Sequence, residues 1–244
     1  MDKKNIKFIS NRSWLTKESI STPVAANKVM PDWYKKADRF VKNPHTEEFV
    51  IGQDGGKMPT WKACPAVFDT MISGYLLKTP CDVHFYLDEN QKISCRINDP
   101  NYQDFCTPRP PMEQFYQPDN CYLDHFAWFI DWGIILPEGY SALYLTPMNR
   151  FDLPFINTVG IIDNDKINLS GSLPFFVIQG FTGTIPAGTP YAQLLPFKRE
   201  NWESEIVIEE PKNLNMKNYK NSKKYRVKDG GVYKNEVWEK RSYE

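Results

Sequence analysis

The stretch Val159–Phe197, V-G-I-I-D-N-D-K-I-N-L-S-G-S-L-P-F-F-V-I-Q-G-F-T-G-T-I-P-A-G-T-P-Y-A-Q-L-L-P-F, decides the reading of the fold. Its apolar runs are short. They are broken by Asn-Asp, Ser-Gly, Gly-Phe-Thr-Gly and Pro-Ala-Gly, residues that supply turn geometry through positive φ, a fixed φ or side-chain-to-backbone hydrogen bonds. The pattern predicts a β-meander, or the closing strands of a barrel.

The chain on either side continues in the same style. Upstream, Ser141–Thr146 reads as a strand stopped by Pro147. Tyr122–Leu136 reads as an aromatic-rich strand pair interrupted near Asp131-Trp132-Gly133. Asp82–Leu87 and Lys92–Ile97 flank a turn at 88–91 and predict a hairpin. Thr60–Pro80 holds the best helix candidate. Pro65 falls in its first turn, Val67, Phe68, Met71, Ile72 and Tyr75 form one apolar stripe, and Gly74 is placed to end it. Pro31–Lys36 predicts one or two helical turns, with Trp33 and Tyr34 as anchors, and Ile6–Ile9 an opening strand. Residues 43–60, rich in Gly, Asn and Pro, read as a loop and a possible rim of a site. Downstream, 205–209 reads as an edge strand. Beyond Pro211 the chain turns to Lys and Asn yet keeps Tyr219, Tyr225, Tyr233, Trp238 and Tyr243, too aromatic a content for a purely solvated tail.

The expected architecture is therefore mainly β: a single barrel or sandwich spanning residues 1–210, with one or two short helices. A C-terminal extension, 211–244, packs on that domain or on a neighbouring subunit. Nineteen prolines against thirteen glycines, and 14% aromatic residues in 244, suit many short strands.

Bulk charge excludes some classes of function. Lys plus Arg equals Asp plus Glu at 30 each, so no net field draws the chain to nucleic acid or to an anionic membrane, and no apolar run is long enough to span one. The start of the chain has no apolar core of a secretion signal, and the five cysteines lack a C-x-x-C pair. The expectation is a reducing compartment, host cytoplasm or virion, with thiols used as small core hydrophobes.

Candidate chemistry is sparse. No G-x-S-x-G elbow, P-loop or dinucleotide fingerprint occurs. The three histidines do not form an iron facial triad, so no metal and no cofactor are expected. His84 and His125 remain catalytic candidates, as the base that would activate one of the five thiols; His84 lies two residues after Asp82, and His125 follows Asp124. Asp163 and Asp165, flanking Asn164, are the leading carboxylate pair, able to hold a hard cation or activate water; the competing reading is that Asp-Asn-Asp simply builds its own turn. Trp128 and Trp132 are candidate platforms for a sugar or base, against a role in filling the core. The P-R-P-P run at 108–111 and the tail are candidate sites for a protein partner or for self-association.

Two resemblances attach to these residues. The blocks V-A-A-N-K-V-M-P-D-W-Y-K-K (24–36), T-W-K-A-C-P-A-V-F-D-T-M-I-S-G-Y-L-L-K-T-P-C-D-V (60–83), G-T-P-Y-A-Q-L-L-P-F-K-R-E-N-W (188–202) and G-G-V-Y-K-N-E-V-W-E-K (230–240) resemble an uncharacterised protein family encoded by tailed bacteriophages. That resemblance implies a phage source and a folded domain, with no catalytic residue to carry over. Locally, G-I-I-D-N-D and I-P-A-G-T-P-Y-A-Q-L-L-P-F are similar to the closing strands of the dUTPase and dCTP-deaminase β-clip fold. This implies Asp163 as the water-activating group and Gln193 as a structural or phosphate contact. The family's Ser-containing phosphate loop is missing before the block, and Gly230-Gly231 stands where a Gly-rich arm would be. The leading expectation is a non-catalytic phage accessory or virion-associated binding protein on a β-clip or jelly-roll-like scaffold. The alternatives are a nucleotide-processing or nucleotide-sensing enzyme and a carbohydrate-binding module.

Overall fold

The computed structural model describes residues 4–10, 12–52, 55–109, 116–167, 171–208 and 237–244. The strands are β1 (Lys7–Ile9), β2 (Val24–Ala25), β3 (Tyr75–Lys78), β4 (Val83–Leu87), β5 (Ile93–Arg96), β6 (Cys106–Pro108), β7 (Cys121–Phe129), β8 (Gly133–Ile135), β9 (Tyr140–Leu145), β10 (Phe155–Asn157), β11 (Gly160–Ile162), β12 (Ser172–Ile178), β13 (Gly183–Ile185) and β14 (Pro190–Lys198). Two α-helices, α1 (Asp32–Lys36) and α2 (Pro65–Ile72), accompany them. The chain divides into two compact units. The first comprises Met1–Val29, Gly74–Arg199 and Tyr243–Glu244; the second is discontinuous in sequence, built from Met30–Ser73 and Glu200–Ser242.

All the named strands lie in the first unit, and every pairing is antiparallel. A five-stranded sheet runs β11-β9-β14-β3-β2 and a four-stranded sheet β10-β12-β7-β6; smaller sheets are β13-β4-β5 and β1-β8. The two larger sheets contribute to one apolar core: Tyr191, Ala192 and Leu194 of β14 join the same cluster as Phe126 and Trp128 of β7 and Phe175 of β12. None of the sheets closes on itself among the described residues. The mainly β architecture stands, in its sandwich form rather than as a barrel.

The stretch 159–197 does contain strands, but it is not a meander. β11 pairs with β9, β12 with β7 and β10, β13 with β4, and β14 with β9 and β3. No two of the four strands in this stretch are neighbours, because turn residues report where a strand ends and not which strand comes next to it. The predicted pair across 122–136 fails for the same reason: β7 and β8 join different sheets. The hairpin of β4 and β5 forms as expected, with Leu87 opposite Ile93. Pro174 and Pro196, inside long strands, sit where one neighbour is missing. Pro174 precedes the first residue of β12 paired to β10, and Pro196 lies beyond the last residue of β14 paired to β3. A residue without an N–H is tolerated there.

A buried amide ties the core together. Asn157 is 4% exposed; its side-chain NH₂ donates to the Tyr191 carbonyl at 2.7 Å, and its Oδ1 accepts from the Trp128 indole at 3.2 Å. Trp128 is fully buried and stacks on Phe175 with centroids 3.9 Å apart and planes 4° from parallel.

In the second unit α2 starts with Pro65 at its first position, as predicted, and runs to Ile72. Tyr75 belongs to β3, so the apolar stripe ends earlier than expected. The left-handed Gly74 (φ +71°) follows, where a Cβ would collide with the Leu194 carbonyl oxygen. In and just before the expected loop 43–60, isolated antiparallel bridges join Phe40 with Pro59, Lys42 with Phe49 and Ile51 with Lys57. Lys57 Nζ caps the Phe49 ring at 3.7 Å. Residues 205–208 carry no strand, which corrects the expected edge strand; Glu209 and most of the 211–244 extension, with residues 110–115 of the Pro-rich loop, fall outside the described residues.

Candidate functional site

The acidic turn after β11 is a latch. Arg199, just past β14, donates from Nη1 to Asp165 Oδ1 at 2.8 Å and pairs through Nη2 with Oδ2. The same Nη1 reaches Ser141 Oγ and the Tyr140 carbonyl, each at 3.0 Å, and lies 3.3 Å from Asp163. Ser141 donates to Asp163 at 2.6 Å, and the Gly139 N–H to Asp165 at 2.8 Å. Asn164 between them is buried, accepting from the Tyr144 hydroxyl at 3.1 Å and donating to the Ile134 carbonyl at 3.3 Å. The Arg199 hydrogen bond holds the Asp165 carboxyl down at about 2, and the Ser141 hydrogen bond lowers Asp163. Carboxylates so well supplied with donors are weak bases. Their chemistry here is that of a clamp joining the ends of β9, β11 and β14.

The other sequence candidates do not gather around that turn. His84, on β4, shares a hydrogen bond of 2.7 Å with Thr184 on the paired strand β13. His125, on β7 of another sheet, is buried against Phe176 with centroids 5.7 Å apart. Burial lowers its pKa and the Arg109 charge adds to this, so the ring is neutral near pH 7. Gln193 is 1% exposed and accepts from the Met148 N–H at 2.7 Å. Trp128, sealed in the core, offers no face to a sugar or a base. Trp132 is half-buried, and its indole N–H has no hydrogen-bond partner among the described residues.

A different buried acid is paired with a remote cation. Asp131, 7% exposed, accepts from Arg12 Nε at 2.7 Å. Burial pushes its pKa up, with the Arg12 guanidinium opposing the shift. Burial pushes the Cys81 thiol up to about 12 and Cys106 well above its ordinary value, whereas a hydrogen bond with Cys106 lowers Cys95.

One concave site among the described residues lies in the second unit and escaped the sequence reading. A cleft of about 280 Å³ is lined by Tyr34 of α1, Arg39, Lys62, Cys64, and Phe68 of α2, with Trp238 from the returning C-terminal segment. Tyr34 stacks on Phe68 at 6.4 Å, and Phe68 meets the edge of Trp238 at 6.1 Å. Trp238 is tethered: its indole donates to Asp69 Oδ2 at 2.9 Å, and Arg241 donates to the same oxygen at 3.1 Å. Lys62 Nζ donates to the carbonyls of Lys35 and Ala37, both at 2.7 Å, and stands 6.0 Å from the Tyr34 centroid. Burial, with Cys64 nearby, raises the Tyr34 hydroxyl's pKa. Only Trp33-Tyr34 and the aromatic tail hinted at this site, since its parts are far apart in sequence.

The same unit exposes several large apolar side chains in a segment with no helix or strand. Trp202 is 86% exposed, Ile206 90%, Val207 67% and Ile208 94%. Among the described residues no group of three or more His, Cys, Asp and Glu is placed to hold a metal ion, and no helix is long and apolar enough to cross a membrane.

No family model and no curated protein matches the chain. Among solved structures, the dUTPase of phage phi11 of S. aureus aligns with 43% of this chain and 97% of its own, at 16% identity and a TM-score of 0.25. A point mutant of that dUTPase, described with a structural Mg(II) ion, aligns over the same shares at 17% identity and a TM-score of 0.24. The chain thus bears a weak structural resemblance to a phage dUTPase, too slight to establish a common fold or reaction.

Proposed function

We propose that this chain is a non-catalytic accessory or virion-associated protein of a tailed bacteriophage, acting by binding a protein partner through its 202–208 segment. The observation that carries the reading is the exposure of Trp202, Ile206, Val207 and Ile208 in a segment with no helix or strand. Clustered large apolar side chains in water are costly, and a segment outside any helix or strand is free to add to a sheet edge. One such edge is on the chain itself: β11 is the outer strand of the five-stranded sheet and exposes Ile161 by 64%. A second copy is therefore one occupant, by strand addition, and a virion component the other. The nucleotide-enzyme alternative gains nothing from the site geometry, because Asp163 is committed to Ser141 and Arg199 and Gln193 to Met148.

Light scattering after size exclusion, with mass spectrometry of purified phage particles, tests the proposal. Concentration-dependent dimers, or the chain's presence in particles, are expected, and either should be lost in an Ile206→Asp, Ile208→Asp double variant. A wild-type monomer absent from particles would reject the reading.

A further inference from the structure

We propose that Cys95 and Cys106 form a hydroperoxide-responsive dithiol: Cys95 is the thiol that is oxidised, and Cys106 closes a disulfide onto it. The pair lies in the first unit and does not depend on the partner-binding reading.

The two thiols meet where the edges of two sheets meet. β5 is an outer strand of the sheet β13-β4-β5, and β6 an outer strand of the sheet β10-β12-β7-β6. The two strands lie against each other without pairing. Cys95 stands opposite Phe85 on β4, and Cys106 opposite Trp128 on β7. Residues directly opposite share a face of the sheet. Phe85 and Trp128 belong to one core, so both cysteines turn towards it. The Cys95 thiol donates to the Cys106 carbonyl oxygen at 3.6 Å, and the two thiol groups are themselves within hydrogen-bond reach.

Surroundings give the two thiols different parts. Cys95 is half-buried and Cys106 only 4% exposed, so an oxidant in solution meets Cys95 first. The Cys106 thiol stabilises the Cys95 thiolate by hydrogen bonding and lowers its pKa against the opposing effect of burial. Burial and the same hydrogen bond keep Cys106 protonated. The thiolate is the nucleophile, so Cys95 reacts and Cys106 waits. The Cys95 sulfur attacks one oxygen of a hydroperoxide; the O–O bond breaks, and the departing oxygen leaves with a proton as water or alcohol. Cys95 is then a sulfenic acid. Cys106 gives up its proton and attacks the Cys95 sulfur; the S–S bond forms, the S–O bond breaks, and water leaves. The two sulfurs lose two electrons, which the peroxide bond takes up. The new bond joins residues eleven positions apart and fastens β5 to β6.

The full chain, reduced and then freed of reductant, is treated with equimolar hydrogen peroxide. Remaining thiols are blocked with N-ethylmaleimide, and the digest is mapped without reduction; cleavage after Arg96 separates the two cysteines. A Cys95–Cys106 cross-link within one chain is expected, removable by dithiothreitol. Cys95 should be consumed several-fold faster than the equally half-buried Cys64. The cross-linked chain should melt about 5 °C higher, since the bond restricts the unfolded chain. Cys106→Ala should stop the reaction at the Cys95 sulfenic acid, captured by dimedone, and Cys95→Ser should leave Cys106 reduced. Circular dichroism shows whether each variant is folded, and the mapping of the parent chain decides the matter without them. Recovery of Cys95 and Cys106 as free thiols once Cys64 is oxidised, a bond from Cys106 to its other neighbour Cys81, a cross-link between chains, or an unchanged melting temperature would overturn the inference.

Discussion

The two units use aromatic rings in opposite ways. At the centre of the first, Trp128 has no exposed surface and lies flat on Phe175, with its N–H bonded to Asn157. In the second, Trp61 is 63% exposed and Trp202 86%, while Tyr34, Phe68 and Trp238 form the walls of a cleft. A high aromatic content alone therefore says nothing about function. It fills the core of one unit and leaves rings on the surface and in a cleft of the other, and only the burial of each ring tells the two placements apart.

The widest gap should open between Trp128→Ala and Trp202→Ala. Removing the sealed ring leaves a cavity costing about 3–5 kcal/mol, whereas the exposed one should change stability by less than about 0.5 kcal/mol. Denaturant unfolding of both variants measures the contrast, and equal losses would abolish it.

Arg12→Ala comes next. It strands the buried Asp131 carboxylate, at a cost of up to about 3 kcal/mol near neutral pH. Burial already raises the pKa of Asp131. A carboxyl whose folded pKa exceeds its unfolded value binds its proton more tightly in the folded state, so its contribution is most favourable at low pH and is lost as pH rises through the folded pKa. The variant's deficit relative to the parent should therefore shrink on acidification from pH 7 towards pH 4, as urea midpoints at several pH values will show.

Asn157→Ala should cost about 1–3 kcal/mol, because it leaves the Trp128 N–H and the Tyr191 carbonyl buried without partners. A midpoint equal to the parent's would remove this amide from the account of the core. The smallest effect belongs to the half-exposed latch. Asp165 is held at about 2, below the ~3.9 of an unfolded aspartate. Its contribution is complete above that unfolded value and disappears as pH falls towards 2. Asp165→Asn should flatten the acid limb of the stability curve between about pH 4 and pH 2, and a limb of unchanged slope would place the acid sensitivity elsewhere.

Local order was legible in the sequence where one residue fixes one geometry. Pro65 opened α2, and the turn at 88–91 set the β4–β5 hairpin. Pairing was not legible, since the neighbours of β12 and β14 are set by which faces share the core rather than by the turns that end them. The turn reading of Asp-Asn-Asp expected its side chains to bond their own backbone, whereas they reach Ser141, Arg199, Gly139, Tyr144 and Ile134, partners that could not be foreseen from spacing. The cleft was hidden for a related reason: Tyr34, Lys62 and Trp238 have no local pattern in common, and tertiary structure alone brings them together.

The second unit's two-part chain has a consequence for biosynthesis. On a ribosome adding about 5–20 residues per second, Trp238 emerges roughly ten to thirty seconds after the end of α2 at Ile72. Throughout that interval Phe68 and Tyr34 wait without the indole that completes their cleft, and Asp69 without the N–H it accepts. The nascent protein therefore spends most of its synthesis with that aromatic cleft lacking one of its walls.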